Sequence, residues 1–310
     1  MIKQQFSNLR HVPMIGTPAS HREALTNLEI LVGGANASVY PAQLAEWWRE
    51  IADHSLALGR YENAMAAAQR ALGYAEILFD PVAYGSLLNL QGCCLLHLGD
   101  HRAATEHFHR ALKQAANLHS PRFNLAVLAL EDGHLEEAQV NLEHLVRQNP
   151  NDAESLNLLG VVFYRKGDIE NAERRFNQAT TINRDLAAGY FNRSLLHLER
   201  DQLDSAYFDC SRATVLDPKQ PSYWNNRGVI HARLGKLTEA VHDFSRAISL
   251  DFGYVAAFLN RALALTEQGR TEHAEADLVS ALRLNPRALD QLEPNQRMVL
   301  AHLTQKQAAA

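Results

Sequence analysis

The chain predicts an all-α fold, a solenoid built from about seven helical hairpins, and three observations predict it. A tract repeats every 34 residues: Tyr190-Phe191-Asn192-Arg193-Ser194, Tyr223-Trp224-Asn225-Asn226-Arg227-Gly228, then Ala257-Phe258-Leu259-Asn260-Arg261-Ala262. A regular period of this length is the signature of a repeat array. Small residues recur at fixed places in the period. So do the residues that break helices.

With Pro218 taken as position 32 of its unit, units start at residues 45, 85, 119, 153, 187, 221 and 255. The first gap alone departs from the period, through a six-residue insertion, Phe79 to Tyr84. Position 8 is Ala52, Gly92, Ala126, Gly160, Ser194, Gly228 and Ala262, and position 20 is Ala in every unit. Position 27 is Ala except at Leu145, and position 24 carries Phe108, Phe176 and Phe244 among other apolar residues. Positions 4, 7, 8 and 11 share one face of a first helix, and 20, 24 and 27 one face of a second. Small residues at 8 and 20 are expected to let the two helices approach, with larger residues filling in around them. Position 15 is Gly everywhere except Asp201, which suits a left-handed stop to the first helix. Pro150, Pro218 and Pro286 each follow an Asn or Asp and end the second helix. A hairpin of this kind cannot bury its apolar face alone and must stack on its neighbours.

The array is assigned to residues 41–288, with units 45–78, 85–118, 119–152, 153–186, 187–220, 221–254 and 255–288. Residues 1–40 form an arm with a short helix from Ser20 to Val32, capped by Ser20 with Glu23 completing a capping box. Tyr40-Pro41 puts a proline at the start of the next helix. Residues 289–310 hold a capping helix, Pro294 to Gln307, with Val299, Leu300 and Leu303 facing inward.

The pattern resembles the tetratricopeptide repeat family over Ala45 to Ala288. That resemblance implies a right-handed superhelix in which the first helix of each hairpin lines a concave groove and the second lies outside.

The repeats also expose a covariation. Position 7 is Ile51, Gln91, Leu125 and Leu159 in the first four units and Arg193, Arg227 and Arg261 in the last three. Position 23 is Ala67, His107, Asn141 and Arg175, then Asp209, Asp243 and Asp277. Arg and Asp enter together, so they are read as ion pairs joining the two helices of a hairpin, 193 with 209, 227 with 243 and 261 with 277.

By the family's geometry position 6 faces the groove: Asn124, Leu158 with Asn157 beside it, Asn192, Asn226 and Asn260. Such Asn side chains could hydrogen-bond a partner's backbone through both amide and carbonyl, similar to the Asn ladder of O-GlcNAc transferase arrays. Phe123, Phe191 and Tyr164 are the aromatic groove candidates. Position 13 alternates Glu131, Arg165, Glu199, Arg233 and Glu267, a mixed rim. Positions 2, 5 and 9 of units three to seven hold no Lys or Arg, which disfavours the carboxylate clamp of chaperone-binding members.

Composition bounds the rest. Apolar residues are 46% and charged residues 21%, so the chain is globular. A formal charge of -5 argues against nucleic acid as a partner. Cys93, Cys94 and Cys210 form no CxxC pair and read as buried apolar residues. No secretory signal and no stretch of about 20 apolar residues is visible, and a reducing cytoplasm fits best. No phosphate-binding loop, HExxH or GxSxG motif occurs. His97, His101, His107 and His109 are weighed as a metal site and set aside, since His107 and His109 fall on different helix faces. His197 and His231 share position 11, a packing site. One ring of Trp47-Trp48 is expected to be exposed enough to meet the N-terminal arm or a partner.

The expectation is therefore a non-enzymatic adaptor without cofactor or metal, holding a peptide or helix of another protein in its groove. The alternatives are a self-associating assembly scaffold, hence a homo-oligomer, or a ligand- or metal-binding regulator.

Overall fold

The computed structural model describes residues 17–33 and 41–308, leaving out the side chains of residues 291 and 302–308. Every regular element among the described residues is helical. Contacts divide the chain after Lys166 into two units.

The first unit holds α1 (Pro18–Gly33), α2 (Pro41–Ala57), α3 (Tyr61–Ile77), α4 (Pro81–His97), α5 (His101–Gln114), α6 (His119–Asp132), α7 (Leu135–Gln148) and α8 (Ala153–Arg165). The second holds α9 (Ile169–Ile182), α10 (Ala187–Glu199), α11 (Leu203–Leu216), α12 (Pro221–Arg233), α13 (Leu237–Leu250), α14 (Val255–Glu267), α15 (Thr271–Leu284), a 3-10 turn at Ala288–Gln291 and α16 (Pro294–Ala308). Within each unit consecutive helices pack on one another, and α4·α6, α6·α8 and α12·α14 add contacts between alternate helices.

Backbone chemistry sets the ends. Asp80, Asp100, Asp152 and Asp168 cap α4, α5, α8 and α9, their carboxylates accepting from backbone N–H groups two or three residues on, at 2.9–3.1 Å. At position 15 the six glycines have φ between 71° and 86°, and Asp201 takes the same left-handed conformation at 58°.

The second helix ends by a device that the prolines alone do not reveal. The position-31 side chains of Asn149, Asn183, Asp217, Asp251 and Asn285 each accept from the backbone N–H two residues on, at 2.8–3.1 Å. The turn forms equally where position 32 is Arg184 or Phe252, so proline reinforces the stop and does not create it.

The close approach within a hairpin involves position 24. A Cβ on Gly92 would lie 2.5 Å from Phe108 Cε1, and one on Gly228 2.6 Å from Phe244 Cε1. Position 8 thus makes room for the ring at position 24. The sequence carries this as a size exchange: Gly stands opposite Phe, whereas Ala126 stands opposite Leu142 and Ala262 opposite Leu278.

Two expectations are corrected, and the insertion takes a definite form. Helix α1 starts at Pro18 with Thr17 as its cap. Thr17 Oγ1 accepts from Ser20 N at 3.2 Å and Thr17 N donates to Ser20 Oγ at 2.9 Å, a reciprocal box three residues before the one expected at Ser20 and Glu23. Pro18 at the first helical position explains the shift. The insertion at Phe79 to Tyr84 is absorbed by the flanking helices. The chain adds a turn to the end of α3 and to the start of α4, each 17 residues long, and only Leu78 to Asp80 lie between them. Val299 is 40% exposed, whereas Leu300 is buried beside Leu278 and Ala281; Leu303 lies outside the described side chains.

Trp47 and Trp48 are both half-buried against the first unit's core, with the Arg70 guanidinium 4.4 Å above the Trp48 ring. The three cysteines are buried, and burial pushes the Cys94 and Cys210 thiols up to about 12.

Candidate functional site

The structure brings the three Arg–Asp sets together, each bidentate. Arg193 reaches Asp209 with Nε and Nη2 at 2.7 Å, and Arg227–Asp243 and Arg261–Asp277 repeat the geometry at 2.6–2.7 Å. The carboxylates are 1–7% exposed and the Arg side chains 17–23%. Hydrogen bonds to these carboxylates hold the Arg193 and Arg227 guanidinium groups above their ordinary range.

Two parts of this arrangement escape the sequence. The remaining nitrogen, Nη1, bonds backward to the preceding helix: Arg193 to Asn177 and Thr180, Arg227 to Thr214, and Arg261 to Ser245, at 2.9–3.1 Å. An aromatic ring three residues earlier lies beneath each guanidinium: Tyr190, Trp224 and Phe258, at 4.6–5.9 Å. Each Arg therefore ties three helices. The hydroxyl and amide residues at positions 25 and 28, one unit ahead of each Arg, were the available signal. His231 Nδ1 lies 3.1 Å from Asp243, and burial lowers its pKa below the ordinary histidine value.

The eight groove candidates divide. Asn124 is 1% exposed and donates to Asn89 Oδ1 at 3.0 Å; Asn260 makes the same bond to Asn225. Asn226 donates to the Ser222 carbonyl at 2.8 Å, and Asn157 and Asn192 are buried as well. Phe123 is buried against His119, and Phe191 against Tyr223 with centroids 4.6 Å apart. Positions 5 and 6 thus face the adjacent first helix. Of the eight, only Tyr164 and Asn260 are half-buried and so keep surface.

The rim changes in character too. Arg165 donates to the Leu130 carbonyl, and Arg233 to the Leu198 carbonyl at 2.9 Å and to Asp201 at 2.8 Å. Position-13 arginines therefore satisfy the last carbonyls of the preceding first helix.

At positions 9 and 12, Val127, Leu130 and Val161 are buried, whereas Leu195, Leu198, Val229, Ala232, Leu263 and Thr266 keep surface. In the second unit these positions border a cavity of about 690 Å³, walled by Val229 and Ala232 of α12, Leu263, Thr266 and Glu267 of α14, and Asn295, Gln296 and Val299 of α16. The floor is apolar, and Asn260, Glu267, Asn295 and Gln296 place polar groups around it. Helix α16, which the sequence marks only as a cap, is thus also one wall of this cavity.

His97 stacks on Tyr61 at 4.6 Å, and His107 Nδ1 lies 2.9 Å from the Ala103 carbonyl. Among the described residues no three metal-ligating side chains gather, and no helix is long and apolar enough to cross a membrane.

The tetratricopeptide repeat sequence profiles match residues 95–162, 153–186, 221–254 and 255–287, about half of the chain. No curated protein sequence matches it. A tetratricopeptide repeat protein from Parabacteroides merdae ATCC 43184 superposes with a TM-score of 0.60 over 85% of this chain and 99% of its own, at 18% identity. The APC/C hetero-tetramer Cut9–Hcn1 gives a TM-score of 0.64 over 91% of this chain and 59% of the other, at 13% identity. A thermophilic TPR protein of Thermus thermophilus gives 0.51 over 59% and 99%, at 24% identity. These likenesses concern the fold. Profile matches, a backbone period kept through fourteen helices, and the same small-against-large contact in both units agree: the chain belongs to the tetratricopeptide repeat family.

Proposed function

We propose that the chain is a protein-binding scaffold that receives an apolar segment of another protein on the open face of α12, α14 and α16. The observation that carries this reading is the 690 Å³ cavity, whose apolar floor and amide-bearing rim are what an extended or helical peptide with apolar anchors requires. No covalent step, cofactor or metal enters the reading. Asn260 is the member of the expected Asn set placed to touch such a segment, together with position-9 and position-12 residues. Asn124, donating to Asn89 of the neighbouring first helix, serves instead as a rung between first helices.

Short peptides displayed on phage and selected on the chain test this. The selected peptides are expected to carry apolar anchors and to lose binding to an Ala232→Arg/Thr266→Arg variant that melts like the parent. Peptides that bind parent and variant equally would place the site elsewhere.

A further inference from the structure

The one break in the 34-residue period carries an unusual surface. Phe79 is 91% exposed, the highest value of any large apolar residue described, and Ile77, Val82 and Leu78 beside it are 62%, 56% and 42% exposed. Phe79 also has φ 53°. A bulky residue in the left-handed region is strained, and such strain persists where the surrounding structure or a function maintains it. Glycine or asparagine would stop α3 at lower cost.

A hollow of about 390 Å³ adjoins the ring, bounded by Ala75 and Glu76 of α3, the capping Asp80, Pro81 and Tyr84 of α4, and Gln114 of α5, with Phe79 on its edge. Knob and hollow therefore occupy one surface. This is the arrangement a twofold contact demands, since each copy must offer both halves of the fit.

We propose that this surface pairs two copies of the chain, the Phe79 ring of each seated in the hollow of its partner. Size supports a second copy as the occupant. The exposed parts of Ile77, Leu78, Phe79 and Val82 amount to roughly 400 Å² of apolar area. An ordinary stable contact buries roughly 800 Å² per partner, a little over half of it apolar, so this patch is large enough to be the apolar share of one. The pairing surface lies in the first unit and the peptide cavity in the second.

Light scattering of the full chain from about 1 to 100 µM, a range that spans micromolar affinity, tests the proposal. The parent is expected to dimerise in this range. Phe79→Asp should weaken pairing at least tenfold. Phe79→Gly should also be monomeric while melting no lower than the parent, because glycine accepts that backbone without strain. Val215→Asp, at a residue 69% exposed on α11, should leave pairing intact. A parent that stays monomeric, a Phe79→Asp chain that still pairs, or a Val215→Asp chain that does not would each overturn the proposal.

Discussion

The two units build the same hairpin with different fastenings. In the second, position 7 is an arginine locked to a buried aspartate and to the helix before it. In the first, position 7 is Ile51, Gln91, Leu125 or Leu159, all 5% exposed or less, and Gln91 donates to Gln69 at 3.2 Å. Helix pairing, the left-handed stop and the Gly–Phe contact are nonetheless common to both. Hairpin geometry is thus set by side-chain volume at positions 8 and 24 and by the backbone at 15. The ion pairs come on top of it and fix register between hairpins.

The largest way to break this comparison is Asp243→Ala, which strands the Arg227 guanidinium. Denaturant unfolding is expected to show a loss of about 3–5 kcal/mol, with no counterpart in the first unit, where the same position carries Ala67, His107 or Asn141. An unchanged midpoint would mean the pair contributes nothing. Next comes Gly228→Ala. Forcing a methyl against the Phe244 ring should cost about 2 kcal/mol, even after the ~1 kcal/mol gain in helix propensity. Adding Phe244→Leu should restore most of it, because Ala262 with Leu278 is the same exchange already made; the double-mutant cycle reads the coupling.

A half-buried carboxylate without a bidentate partner distinguishes the first unit. Burial pushes Asp53 up to about 6, Glu50 adds to the rise, and Arg49, 3.8 Å away, opposes it only in part. A carboxyl raised in the folded state binds its proton more tightly there than when unfolded. Its favourable contribution is therefore full below about pH 4 and lost as pH rises through about 6. Asp53→Asn should raise stability at pH 7.5 by about 1 kcal/mol once solvent screening is allowed for, with the gain gone by about pH 4. Melting curves across that range decide it. The smallest effect is Asp201→Gly, expected to stabilise by about 0.5 kcal/mol. Removing a side chain from φ 58° outweighs the exposed bond to Arg233.

Much of the fold was legible because repeats inside one chain act as their own comparison set. The period, the position-15 stop and the Arg–Asp covariation are all read by setting units against each other. The groove was less legible for a physical reason. A residue's place on a helix face says which way it points, but not whether a neighbouring helix already fills that direction. Asn124 and Phe191, expected to line the groove, are buried against adjacent repeats. The α16 wall could not be read by periodicity, since Asn295, Gln296 and Val299 lie beyond the last unit. The box at Thr17 was hidden by Pro18, which moves the helix start forward by three residues.

The threefold grip of each arginine has a thermodynamic corollary. Arg193 spans α9 to α11, Arg227 α11 to α13, and Arg261 α13 to α15, so consecutive grips share a helix and none of the seven can peel away without breaking one. In a linear array, strong nearest-neighbour coupling of this kind converts independent fraying into a single cooperative opening. Slow amide exchange should then spread almost evenly from Ile169 to Leu284, whereas the helices before it are free to exchange at graded rates.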